Sequence, residues 1–229
     1  MSTTDRAVSI GALADETRRA LYEFIAAQPD PVTRDTAADA IEIPAHMARF
    51  HLDKLVEVGL LETEFRRLSG RTGPGAGRPS KLYRRATGTI AVSLPERRYD
   101  LVGHLLAGAI ERAGDGMPLS DAVDAVAREE GRLIAASATA SDSPDGEAPD
   151  DLVRIATVLD AHGYEPRRGG DALTLANCPF DSLARDHTQL VCSANLALID
   201  GILDGLGCEQ LCAHGEPHEG QCCVAVRPA

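Results

Sequence analysis

The stretch Cys208–Cys223 reads CEQLCAHGEPHEGQCC and holds four cysteines and two histidines within sixteen residues. Thiolate and imidazole are the ligands of zinc, and C-x3-C-x-H-x3-H-x3-C-C supplies enough of them for a compact tetrahedral site. Thiolates also hold iron–sulfur clusters, whose ligands can come from distant segments because the cluster is wide. All six cysteines, Cys178, Cys192, Cys208, Cys212, Cys222 and Cys223, fall after residue 177. Cysteines used only as small apolar residues would be scattered, so their confinement points to a site. Spacing alone leans towards zinc, although the CxxC pair that best marks a zinc knuckle is absent. No cysteine has a base beside it in sequence, which weakens a thiol-enzyme reading.

A metal or cluster needs a scaffold, and 229 residues suffice for two small domains. Aromatic residues make up 3% of the chain, so any core is built from Ala, Leu, Val and Ile. The net charge of −12 would by itself argue against a nucleic-acid partner. The charge is unevenly spread, however. Residues 1–92 carry 13 Lys+Arg against 12 Asp+Glu, and residues 93–229 carry 10 against 23. Different partners are expected for the two parts. The first residues lack the apolar core of a leader peptide. The most apolar run, Leu190–Leu206, is broken by Asp200 and Asp204. A cytoplasmic protein without a membrane partner is expected, with its thiols reduced and free for ligation.

In the N-terminal part, residues 8–28 predict two short helices, with Asp15 as N-cap of the second. Thr33 caps a third helix running to about Ile41. Pro44 starts a fourth, PAHMARFHLDKLVEVG, whose apolar positions Met47, Phe50, Leu52, Leu55 and Val56 mostly follow helical spacing, with Gly59 as its stop. LLETEFRRL and KLYRRA then read as strands around the glycine-rich SGRTGPGAGRPS. That order is a winged helix-turn-helix. No acidic residue occurs between Glu64 and Glu96, and a basic hairpin of this kind suits phosphate or minor-groove contact.

ALADETRRALYEFI, ARFHLDKLVEVGLLE and GRPSKLYRR together resemble the winged-helix domain of ArsR-type bacterial transcriptional regulators, over roughly residues 8–87. The resemblance implies that residues 44–58 form the recognition helix, with Ala45, His46, Arg49 and His51 towards base edges. Arg49 has the planar fork that reads guanine, and Ala45 could meet only a thymine methyl. Arg19, Arg71, Arg78 and Lys81 are the basic residues assigned to phosphate. Pro44 stands where the family often has Ser or Thr. Asp53 and Lys54 read as a local surface pair.

Residues 95–113 and 119–138 each carry a helical apolar stripe, with Ser120 as cap of the second. A helix pair in this place is expected to form the interface of a homodimer, which would present two recognition helices to a two-fold operator. The acidic TASDSPDGEAPDD (139–151) reads as a linker. Beyond it, residues 151–163 predict a helix, YEPRRGGDALTLANC a hairpin turning at Gly169-Gly170, residues 186–207 contain an apolar helix, and QCCVAVRP is a closing strand. The expected fold class is α+β in three parts: winged helix-turn-helix (1–92), helical dimerisation segment and linker (93–149), and a small α+β sensor domain (150–229).

LANCPFDSLARDHTQLVCSANLALIDGIL followed by GQCCV is similar to the sensor domain of SufR-type regulators, winged-helix repressors that bind an iron–sulfur cluster and control cluster-assembly genes. By this resemblance the ligands are Cys178, Cys192 and one of Cys222 and Cys223. Cys222 is preferred, because neighbouring residues on a strand face opposite ways. The resemblance favours a 4Fe-4S cluster over 2Fe-2S, with zinc as the alternative. The thirteen residues between Cys178 and Cys192 are about one more than that family leads one to expect. Cys208 and Cys212 do not match family positions, and either could supply a fourth ligand. His187, His214 and His218 are weaker candidates. A DNA-binding regulator and not an enzyme is therefore expected, with double-stranded DNA as partner. A zinc-binding or thiol-redox regulator is the rival.

Overall fold

The structure, a computed structural model, describes residues 3–67, 78–139, 150–216 and 221–229. The chain forms two compact units, residues 1–92 and 93–229. It mixes helix and sheet, with an N-terminal helix-turn-helix unit and a small sheet in the C-terminal part.

In the first unit, α1 (Thr3–Gly11) leads through a short 3-10 turn at Ala12–Ala14 into α2 (Glu16–Ala26). Next come β1 (Val32–Thr33), α3 (Arg34–Ala40), α4 (Ala45–Glu57), β2 (Leu61–Arg66) and β3 (Ser80–Arg85). The expected caps form. Asp15 accepts from the backbone N–H of Arg18 at 2.9 Å, and Thr33 Oγ1 accepts from Thr36 N–H at 3.0 Å. Gly59, at φ +75°, takes the left-handed conformation that ends α4. Leu21, Ile25, Ala37, Ala48, Leu52, Leu55 and Tyr83 close the core.

Two local expectations change. Residues 32–33 pair with Leu82 and Tyr83, so the sheet has three strands in the order β1-β3-β2. Met47 and Phe50 are not core residues: they are 40% and 68% exposed, while Ala48 takes the buried place on that turn. Helical spacing sets Ala48, Leu52 and Leu55 on one stripe, which leaves Phe50 outside it.

The second unit contains α5 (Tyr99–Gly114), α6 (Leu119–Thr139), α7 (Asp151–Ala161), β4 (Pro166–Gly169), β5 (Ala172–Leu175), α8 (Asp181–Asp186), α9 (Thr188–Leu206), β6 (Leu211–Gly215) and β7 (Val224–Pro228). The sheet is antiparallel, in the order β4-β5-β7-β6. The helices of residues 93–139 belong to this unit and do not stand apart from it as a separate segment. The reason is the seam between α6 and α9. Arg128 lies opposite Asp200 and Gly201, and Arg132 lies opposite Asp204 and Gly205, so the two helices run parallel. A Cβ at Gly131 would lie 2.2 Å from the Leu198 carbonyl oxygen, and one at Gly201 would lie 2.2 Å from that of Arg128. Only glycine permits backbones this close. Arg128–Asp200 (2.9 Å) and Arg132–Asp204 (3.0 Å) flank the seam.

Three finer differences follow from hydrogen bonding. Ser120 lies inside α6 instead of capping it, because the helix already begins at Leu119. Gly169 pairs with Ala172, so the hairpin turns at Gly170-Asp171, with Gly170 at φ +66°. The cysteine-rich stretch itself supplies a strand, β6, while β7 begins only after Cys223. Helix α9 is long and apolar enough to cross a membrane by length and composition. More than half of it is buried within this unit, as in the core helix of a globular domain.

Candidate DNA interface and thiol cluster

On α4 the outward face presents His46, Arg49, Phe50 and Asp53, and these line a shallow groove with Lys54 and Glu57. His46 and Arg49 are exposed as expected. Ala45 is half-buried against the core, which leaves Phe50 as the large apolar group on this face. Phe50 is not in the set that the sequence assigns to DNA. Its spacing from His46 and Asp53 carried the signal.

His51 departs from expectation. Its side chain is 12% exposed and turns towards Asp15, with Nδ1 3.9 Å from the carboxylate. Residue 51 sits on the inward side of the helix, next to the buried stripe. The Asp53–Lys54 pair does not form either. Lys54 bonds Glu57 at 2.8 Å, and Asp53 instead accepts from Lys81 Nζ at 2.7 Å and lies 3.6 Å from Arg49 Nε. Asp53 therefore ties α4 to strand β3. The Lys81 hydrogen bond holds the Asp53 carboxyl below its usual range. Burial opposes the charge on Lys81, but bonding to Asp53 and Tyr83 outweighs it and raises Lys81. Arg34, Arg49, Ser80 and Lys81 open onto a cavity of about 520 Å³. Arg19 is exposed and donates to the Leu13 carbonyl at 3.3 Å, closing the 3-10 turn. Arg78 is exposed just before β3, and Arg71 lies outside the described residues.

In the second unit four thiols from three separate segments meet. Cys178 follows β5, Cys192 lies in the second turn of α9, and Cys222 and Cys223 precede β7. Cys178 lies beside Cys222, Cys222 beside Cys223, and Cys223 beside Cys192, each close enough to shift its neighbour's protonation. The expectation that Cys222 and Cys223 face opposite ways rested on strand geometry. Both residues precede the strand, and both join the group. Among the described residues no three His, Cys, Asp or Glu side chains surround a single metal-ion position. The thiols neighbour one another pairwise, in a chain.

Their protonation is mutually determined. Hydrogen bonds to Cys178 and Cys223, with burial added, raise Cys222 far above an ordinary thiol. The same bonds lower Cys178, and lower Cys223 to about 6. Burial pushes Cys192 up to about 12. The group thus holds protons unevenly, with Cys178 and Cys223 the thiols that give them up more readily than Cys192 and Cys222.

The remaining cysteines lie elsewhere. Cys208 is buried beside Asp151 and Arg154 of α7, and burial raises it to about 11. Cys212 lies on β6, with Sγ 3.0 Å from His214 Nε2. The compact loop site built from Cys208, Cys212, Cys222 and Cys223 is not assembled, because β6 and β7 pair as strands and carry Cys212 away from the other thiols. His187 is the N-cap residue of α9, and its side chain makes no capping bond. His218 lies outside the described residues.

Two buried polar groups support the thiols. Asn195 of α9, 1% exposed, donates from Nδ2 to Cys222 Sγ at 3.2 Å, and its Oδ1 accepts from the Tyr164 hydroxyl at 2.5 Å. Asn177 donates to the carbonyl oxygens of Glu96 (3.0 Å) and Gly163 (2.5 Å), and its Oδ1 accepts from Arg97 at 2.5 Å. Arg97 also donates to the Cys178 carbonyl at 3.2 Å and lies 3.6 Å from Asp181. The Cys178 loop is thereby clamped to residues 96–97, near the start of the second unit.

A family described as a helix-turn-helix domain matches residues 13–64, which span α2 to β2. No curated protein and no solved structure matches the chain. The match is confined to residues 13–64, and the helix-turn-helix domain it marks is of the kind that DNA-binding transcription regulators carry.

Proposed function

We propose that the protein is a homodimeric transcriptional repressor of the ArsR type. Its operator affinity is set by an iron–sulfur cluster, 4Fe-4S by preference, held by Cys178, Cys192, Cys222 and Cys223. The resemblance to SufR-type regulators suggests genes of cluster assembly as its targets. One observation carries the cofactor reading: four thiols drawn from three segments of a chain stretch more than forty residues long meet in one place, while Cys208 and Cys212 stay away. The donor set fits, since iron–sulfur clusters take four thiolates. A buried amide already donates to one of the sulfurs. When bound, such a group supplies sensitivity to oxidation and to iron supply.

The chain's own residues carry the rest. Ligation would require the four sulfurs to give up their protons and separate from pairwise contact. That would draw together the Cys178 loop, helix α9 and the segment before β7. Asn177 and Arg97 would pass the position of the Cys178 loop to residues 96–97, and from there towards the DNA-binding unit. Operator affinity changes only if that unit binds DNA differently in the two states. In this reading the loaded protein represses and the unloaded protein releases. At the DNA, Arg49 and Phe50 would face base edges, and Lys81, Arg78, Arg71 and Arg19 the phosphates. Exposed Ile110, Leu119 and Leu133 on α5 and α6 offer apolar surface for a second copy.

Four thiols also suit a tetrahedral all-thiolate zinc site, which keeps a zinc-sensing regulator as the second reading. The test is anaerobic purification, followed by a visible spectrum with iron and sulfide assays on the same sample. Brown protein that holds both elements and bleaches in air supports the cluster. Colourless protein with stoichiometric zinc overturns it in favour of the second reading.

A further inference from the structure

Helix α9 is the core helix of its unit, and ten of its residues are buried. Nine of those are apolar or glycine, and the tenth is Asn195. A buried amide costs free energy unless both of its ends find partners, and a leucine of similar size would stabilise the core without that demand. Both ends of Asn195 are used. Its Oδ1 accepts the Tyr164 hydroxyl at 2.5 Å, and its Nδ2 faces Cys222 Sγ at 3.2 Å. All three groups are almost fully buried: Tyr164 1%, Asn195 1% and Cys222 3% exposed.

A neutral thiol is a weak acceptor and gives little return for a buried N–H. A thiolate is a strong one, because a hydrogen bond to an ionised partner is roughly twice as strong as a neutral one. A thiolate also has no proton to donate, so only one amide orientation works beside it. That orientation has Nδ2 on sulfur and Oδ1 turned away, and the Tyr164 hydroxyl donating to Oδ1 fixes it. Cys222 is hard to ionise on its own, so the cost of a buried asparagine and a buried phenol is recovered only when ligation puts negative charge on its sulfur.

We infer that Asn195, aimed by Tyr164, is a positioning residue for the sulfur of Cys222 that holds it as a ligated thiolate and sets the reduction potential of the group bound there. The inference rests on the cluster reading above. Hydrogen bonds to cluster sulfurs are among the levers on potential. They stabilise the reduced, more negative state more than the oxidised one, so their loss lowers the potential.

The experiment compares full-length wild type, Asn195→Leu and Tyr164→Phe. All are purified without oxygen, assayed for iron and sulfide, checked by far-UV circular dichroism and titrated potentiometrically with visible and spin-resonance detection. Asn195→Leu should shift the reduction equilibrium about tenfold towards the oxidised form, about 59 mV for a one-electron couple. Tyr164→Phe, which removes one oxygen atom and keeps the ring, should shift it the same way by less. Loss of iron and sulfide from a variant with wild-type dichroism also supports the inference. Folded variants with wild-type iron, sulfide and potential overturn it while leaving the cluster standing. If Asn195→Leu fails to fold, an unshifted Tyr164→Phe is sufficient to overturn it. Wild-type protein without iron and sulfide overturns the cluster reading itself, and that result appears before any variant is compared.

Discussion

Replacing Gly131 by alanine tests the α6–α9 seam most directly. Intrinsic helix propensity favours alanine over glycine by about 1 kcal/mol, so propensity alone predicts a more stable protein. The structure predicts the opposite. The new Cβ would lie 2.2 Å from the Leu198 carbonyl oxygen and 2.7 Å from the Ile202 nitrogen, both of them backbone atoms. Ordinary contact begins at 3.4 Å, so the helices must separate locally by about 1.2 Å. Neither obstacle is a flexible side chain that can swing aside. Overpacking of this kind costs about 1–3 kcal/mol, which exceeds the propensity gain over most of that range. Gly103 of α5 is the control, since a Cβ there meets nothing within 4 Å. Gly103→Ala should therefore stabilise by about 0.4–1 kcal/mol. Urea unfolding followed by far-UV dichroism reads both, with the midpoint falling for Gly131→Ala and rising for Gly103→Ala. Cys192 and Asn195 share α9 with the seam, so on the cluster reading proposed above Gly131→Ala should also lower iron and sulfide content. If Gly131→Ala proves as stable as Gly103→Ala, the close-approach argument is wrong.

At the DNA face, Arg49→Ala should weaken operator binding by about 1–3 kcal/mol and relax preference at one base position, whereas inward-facing His51→Ala should change affinity by less than about 0.5 kcal/mol. Fluorescence anisotropy on a selected operator separates the two, and equal losses would return His51 to the interface. On the cluster reading proposed above, Arg97→Ala, which removes the clamp on the Cys178 loop, should leave iron and sulfide content unchanged but bring the affinities of loaded and unloaded protein together, and a preserved ratio would exclude this route of coupling. Asp15→Ala should destabilise the first unit by about 0.5–2 kcal/mol through loss of the α2 cap. The Asp15 carboxyl is lowered chiefly by the Arg18 backbone bond, so its contribution is fully present above the unfolded carboxylate pKa of about 3.9 and disappears as pH falls through the lower folded value. Wild type and Asp15→Ala should accordingly converge in urea midpoint on acidification, and a difference that persists at the acid end would contradict this.

Much of the fold could be read along the chain because its cues are local. Asp15 and Thr33 are caps, Gly59 is a stop and LLETEFRRL alternates, and each acts within a few residues of itself. The winged unit followed from the order of such cues. Errors arose where one residue type serves two roles. Phe50 is apolar and follows the helical spacing of the core residues, yet it projects from α4 beside Arg49. His51 was placed at the DNA, yet it turns to Asp15. The Asp53–Lys81 tie joins residues 28 positions apart, and no local pattern announces it.

For the candidate site, sequence alone determined that the cysteines are confined to the C-terminal part, and that a helix-turn-helix order followed by a run of basic residues lies in the N-terminal part. Those are facts of composition and short-range periodicity. Tertiary structure decided which cysteines meet. Strand pairing of β6 with β7 carried Cys212 out of the group, packing against α7 buried Cys208, and the irregular approach to β7 let Cys222 and Cys223 both enter. It also placed Asn195 and Tyr164 behind Cys222, and Arg97 and Asn177 behind Cys178. These choices depend on where α9 sits, and that is set by glycines at a parallel helix seam, a contact between residues about seventy positions apart that becomes visible only when the backbones are in place.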